Sequence, residues 1–263
     1  MQIIIGQYVP GNSIIHRLDS RAKLLSVFLF VMIVFLANNW IGYLILGLFT
    51  IFTVLLSKVP IGFIYRGLKP VLWIILFTFL LHIFMTKTGP VLFSIGPLDI
   101  YQGGVMQGLF ISCRFFFLIV ITTLLTLTTT PLEITDGMES LLHPLKKLRL
   151  PVHELALMMS ISLRFIPTLM QETEKIIKAQ SARGAKFTTG TMKERLQSIV
   201  PLLIPLFINA FKRAEDLAYA MEARGYRGGE GRTKLRELSW NVKETAVLLL
   251  LIVLGIVLYI VRT

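Results

Sequence analysis

Apolar and polar residues fall in long blocks along this chain. After a polar, basic start, apolar runs cover roughly residues 24–37, 40–57, 68–86 and 105–129, and a fifth run, Ala246–Val261, closes the chain. A bilayer core about 30 Å thick takes about 20 helical residues to cross. Each run therefore reads as a membrane span, and the pattern predicts an all-α integral membrane protein with five of them. The first run is short, so Arg21 and Lys23 are expected to snorkel toward the interface. Asn38-Asn39 divides it from the second run, since one helix over 24–57 would be far too long to span.

Between the fourth and fifth runs lies a polar, basic stretch with its own periodicity. Pro131 is expected to start a short helix ending near Leu150, kinked or broken at His143-Pro144, and Pro151 stands where the next helix begins. From there Leu155, Met158, Ser162, Phe165, Leu169, Thr173, Ile176 and Gln180 recur at helical spacing, with Glu172, Lys175 and Lys178 facing elsewhere. A helix over 152–183 would be about 48 Å long. A Thr/Gly loop at 188–191 precedes a second run. Its stripe is Leu203, Phe207, Ala210, Ala214, Leu217 and Met221, with Lys212, Arg213, Glu215 and Asp216 off it. The apolar part of this run, 199–208, carries Pro201 and Pro205 and is too short to span. The expected organisation is a membrane module at 1–130, a coupling module at 131–240 and a final transmembrane helix at 241–263.

Both long runs end in one tripeptide, Ala182-Arg183-Gly184 and Ala223-Arg224-Gly225, offset by 41 positions; on that offset Glu174 also matches Glu215 and Ala179 matches Ala220. Gly after a helix supplies a left-handed cap, and Arg suits the negative end of the helix dipole. A small Ala keeps the tip slim enough to enter a groove on another protein. Arg, unlike Lys, offers a planar fork to carboxylates and carbonyls. A single Arg-Gly ending is ordinary; two identical ones on long amphipathic helices point to docking.

Composition agrees with a membrane location: 54% of residues are hydrophobic and 16% charged, against about a quarter charged in soluble proteins. The net charge of +12 also raises nucleic-acid binding. Aromatics in 170–236 are few, however, and sit mostly at stripe or loop positions. Positive loops of a polytopic protein account for the charge better. With the N-terminus inside, setting aside Lys87, Arg262 and the intramembrane Arg114 leaves 24 of the 27 Lys and Arg on the cytoplasmic face. The coupling module is then cytoplasmic, in a multi-pass protein of the cell membrane. Cys113 is the only cysteine, which excludes an intramolecular disulfide. The start does not read as a cleavable signal peptide, because no small-x-small site ends the first apolar run.

Catalytic chemistry finds no constellation. Gly225–Lys234 is glycine-rich and basic but does not contain Gly-x-x-x-x-Gly-Lys-Ser/Thr, and His16, His143 and His153 have no metal-ligand spacing. Arg114 is a functional suspect by its depth, with His82 or Asp99 as partners; a place near the outer interface is the other reading. The Thr-rich run 122–130 reads as packing. Met158, Met159, Met170 and Met221 suit an adaptable surface, or equally fill gaps in helix packing.

Three sets of residues carry a family resemblance over nearly the whole chain. They are Leu18-Asp19-Ser20-Arg21-Ala22-Lys23-Leu24, Leu163-Arg164-Phe165-Ile166-Pro167, and the two Ala-Arg-Gly endings, the second continued by Tyr226-Arg227-Gly228. Here the chain resembles the transmembrane T component of energy-coupling factor transporters, a branch of the ATP-binding-cassette importers. Ser20 departs from the proline usual in the first motif. The resemblance implies a scaffold joining two cytoplasmic ATPases to a small membrane-embedded substrate-binding subunit, for uptake of vitamins or metal ions. It implies crossing coupling helices whose Arg183 and Arg224 tips, flanked by Ala182, Gly184, Ala223 and Gly225, each dock in an ATPase groove. The stripes, with Met158, Met159, Phe165, Leu169, Phe207 and Phe211, would face the substrate-binding subunit. ATP and magnesium would sit on the partners; this chain is expected to bind no cofactor and no metal. The alternative is a stand-alone secondary transporter or channel whose basic loop binds anionic lipid. That would call for inverted repeats or several polar residues at mid-membrane depth, and the duplication here lies outside the spans.

Overall fold

The computed structural model describes residues 8–95, 98–148, 151–185, 187, 191–228 and 238–262. It forms two compact units, residues 1–141 with 237–263, and residues 142–236. The first unit thus includes most of the short helix after the fourth span, which the sequence pattern groups with the coupling module.

In the first unit, a one-turn helix α1 (Ile14–Arg17) leads into α2 (Ser20–Val34), α3 (Trp40–Ser57) and α4 (Ile61–Met85). A two-stranded antiparallel hairpin follows, β1 (Val91–Ile95) and β2 (Leu98–Tyr101). Then come α5 (Gln102–Thr128) and α6 (Pro131–Leu142), and α9 (Val242–Val261) completes the unit. Among the described residues the hairpin is the one departure from an all-helical fold. It occupies the expected outer loop, where Val91, Phe93, Ile95, Ile100 and Tyr101 favour extended backbone. In the second unit a six-residue 3-10 segment, His143–Leu148, precedes α7 (Val152–Ala182) and α8 (Met192–Ala223). The break expected at His143-Pro144 falls there; Leu150 and residues 188–190 of the expected loop lie outside the described residues.

Among the described residues, five helices are long and apolar enough to cross a membrane: α3, α4, α5, α7 and α9. Four coincide with expected spans. The expected first span differs, because α2 has only 15 residues, about 22 Å, whereas α7 joins the set at 31 residues. Two hydrogen bonds explain how α2 still covers the length of α9. At one end the Asp19 amide donates to Glu244 Oε1 at 3.3 Å. At the other, Asn39 Nδ2 donates to the Val261 carbonyl at 2.5 Å. The turn Phe35–Asn39 supplies the length the helix lacks.

Snorkelling is not what Arg21 and Lys23 do. Lys23 is 5% exposed, and its Nζ donates to the carbonyls of His16 (3.1 Å) and Thr128 (2.9 Å). It thereby fills acceptors that helix ends leave open and meets the negative end of α5. Arg21 pairs with Asp19 at 3.1 Å, donates to the Leu238 carbonyl and lies over the Trp240 ring. Asp19 caps α2 through the Arg21 amide. The Leu18–Leu24 motif is therefore a junction that ties the starts of α2 and α9 to the end of α5. The core beside it is apolar, with Phe30, Val34, Leu46, Leu127, Leu251 and Leu258 all nearly fully buried. α4 and α5 pack closely: a Cβ on Gly104 would lie 2.9 Å from the His82 and Thr86 carbonyls, the small-residue contact that lets membrane helices approach.

Candidate functional site

The second unit carries the twin endings, and both terminate in the same way. Arg183 and Arg224 are the C-cap residues, one position past the last helical residue, and the following glycines turn left-handed, Gly184 at φ +89° and Gly225 at φ +71°. The Gly184 amide donates to Ser181 O and the Ala185 amide to Gln180 O, each at 3.0 Å. In the second copy the Gly225 amide donates to Glu222 O at 2.8 Å and the Tyr226 amide to Met221 O at 3.0 Å. Both are Schellman motifs, the paired bonds that close a helix on a left-handed residue. The arginine thus stands at the rim of the helix end, where the sequence reading put it in the last turn.

Ala182, Arg183, Gly184, Ala223, Arg224 and Gly225 are all exposed. A side chain built on either glycine would meet nothing within 4 Å. Among the described residues neither guanidinium has a hydrogen-bond or ion-pair partner, so each tip offers a complete five-donor fork on a narrow support.

The residues of the two stripes separate into two environments. Phe165 and Leu169 are half-buried and line a cleft between α7 and α8, facing Ala210, Ala214, Leu217 and Met221. Met158, Met159, Phe207 and Phe211 remain outside it, 59%, 45%, 58% and 72% exposed. The cleft has polar ends. Gln180 Nε2 reaches the Pro201 carbonyl in a long contact of 3.4 Å. That carbonyl lacks its usual helical donor because Pro205, four residues on, has no N–H. Glu172 and Arg213, which periodicity put off the stripes, form an ion pair across the two helices. Side chains long enough to cross an interface escape a pattern that scores only apolar positions.

Arg114 has a partner that neither expectation named. Its Nη2 donates to the Ala37 carbonyl at 3.2 Å and the guanidinium lies 5.0 Å from the Phe35 ring. His82 Nδ1 instead bonds the Thr78 carbonyl of its own helix. The charge thus serves the turn between α2 and α3, three residues past the last helical residue of α2.

A multi-pass helical membrane protein with a duplicated, arginine-tipped helix pair is the class these observations define. The family profile described as "Cobalt transport protein" (CbiQ) matches residues 11–235. The chain is 67% identical over 260 residues to the energy-coupling factor transporter transmembrane protein EcfT of Bacillus subtilis (strain 168), covering 99% of this chain and 98% of that protein. It is 56% identical to the EcfT protein of Listeria innocua serovar 6a over 262 residues, covering 100% and 99%. The chain belongs to this family of transmembrane components of energy-coupling factor transporters.

Proposed function

We propose that the chain is the coupling scaffold of an energy-coupling factor importer. It joins two cytoplasmic ATPases to a membrane-embedded substrate-binding subunit and carries no catalytic site of its own. ATP and magnesium sit on the ATPases, and the cargo is a vitamin or another micronutrient, such as a metal ion. The single observation that supports this most is the pair of identical, exposed, Schellman-capped tips on two long helices that pack against each other. A rigid helix moves as a unit, so displacement of a tip reaches the far end about 46 Å away. Arg183 and Arg224 each enter a groove on one ATPase, where a forked donor meets carboxylates or carbonyls. Met158, Met159, Phe207 and Phe211 stay available to the substrate-binding subunit, and the second unit lies on the cytoplasmic side.

A photo-crosslinking amino acid at Ala182 and at Ala223 tests the reading. In membranes holding the ATP-binding subunits, each position yields an adduct with an ATPase, while the same group at Trp73, within the apolar helix α4, yields none. Tips that capture no ATPase contradict the scaffold and favour a stand-alone transporter, assayed by uptake into vesicles holding this protein alone.

A further inference from the structure

Two copies of one helix pattern that pack face to face can bring equivalent residues together at one level only, that of the axis relating the copies. Above and below it, each residue meets a different partner. The twin tips fix the equivalence at 41 positions, Arg183 with Arg224, and the ion pair found between α7 and α8 among the described residues, Glu172 with Arg213, spans the same 41. Position 172 lies 11 residues before Arg183 and position 213 lies 11 before Arg224. Going up α7 from Glu172 to Gln180 goes down α8 from Arg213 to Pro201, the order expected of copies related by an axis between them.

The repeat is broken in a telling way at this level. Some matched positions keep their character (Glu174 with Glu215, Ala179 with Ala220, Ile176 with Leu217), whereas 172 and 213 carry opposite charges, as do Lys175 and Asp216, and of these two pairs the first is in contact. Like residues on the axis would face each other: two carboxylates or two guanidiniums would repel there. Opposite charges attract, and although the Arg213 side chain is 37% exposed, its partner is more enclosed. The Glu172 side chain is 16% exposed, and its second oxygen is buried with no partner among the described residues, so the carboxylate depends on Arg213.

We infer that Glu172 and Arg213 are positioning residues that pin the two helices at the pseudo-symmetry axis, leaving each arginine tip an arm of 11 residues, about 16 Å. Equal arms about one pinned point make the tips move equally and oppositely when they are drawn together. That role in transport rests on the coupling reading above; the crossing level does not.

The test has one arm for each. In the full chain carrying Cys113→Ser, a short bifunctional maleimide is applied to Glu172→Cys/Arg213→Cys and to Ala179→Cys/Ala220→Cys, and joined peptides are quantified by mass spectrometry. The first pair links at least tenfold more than the second; equal yields, or the reverse, overturn the crossing level. In the complex with its ATPases, Arg213→Glu lowers phosphate release from ATP at least fivefold with the ATPases retained, and the exchange Glu172→Arg/Arg213→Glu recovers at least half. An undiminished single variant, or an exchange no better than it, overturns the pin. ATPases missing from the unaltered chain overturn the coupling reading instead, and the cross-link ratio still decides where the helices cross.

Discussion

Gly184 and Gly225 hold backbone angles that an L-residue adopts at a cost of roughly 1–2 kcal/mol, and open space surrounds both. Their substitution therefore acts through strain and not through collision. Gly225→Asn is expected to keep most ATPase retention, because Asn tolerates the left-handed region, whereas Gly225→Val, β-branched, unwinds the tip and loses most of it; co-purified ATPase per mole of scaffold checks the order. Arg114 invites a different measurement. Removing it as Arg114→Leu takes a charged donor from the Ala37 carbonyl, at about 1–3 kcal/mol, seen as a lower melting temperature in detergent with ATPase retention unchanged. Loss of uptake without loss of stability would place Arg114 on a transport path. Its place within an apolar run was legible in the sequence. Its partner was not, because a backbone carbonyl in a turn has no signature in residue type.

At the scale of elements, the long apolar helices and the two amphipathic ones followed from periodicity, and α3, α4, α5 and α9 coincide with expected spans. What periodicity missed is short or polar. α2 reaches full length only through its turn and its bonds to α9, and the hairpin β1–β2 rests on nine residues. The Leu18–Leu24 motif was legible as a family mark, yet its job depends on residues far away in sequence: Thr128, Leu238, Trp240 and Glu244. Lys23→Met keeps the apolar stem and removes the donor from two carbonyls, so it is expected to destabilise the first unit by roughly 3 kcal/mol. Thermal unfolding followed by the exposure of Cys113 to a thiol dye measures this, and an unchanged midpoint would mean that the two contacts contribute nothing.

For the whole molecule, one sequence holds a membrane unit built for lipid and a helix pair with exposed arginine tips. The first exposes large side chains such as Trp73 (75%) and Phe77 (63%), which a bilayer accommodates without penalty. The second ends in polar, slim tips that a bilayer would not. Family membership was readable from the tripeptides and their neighbours because each motif is contiguous in sequence. The ion pair at the crossing was hidden because it breaks the repeat that reveals the tips. The most direct test of the central claim is to purify the chain in detergent with its ATP-binding subunits, unaltered and as Arg183→Glu/Arg224→Glu. The account predicts two ATPases on the unaltered chain and none on the double variant, with equal membrane insertion. Equal ATPase content in both would contradict it.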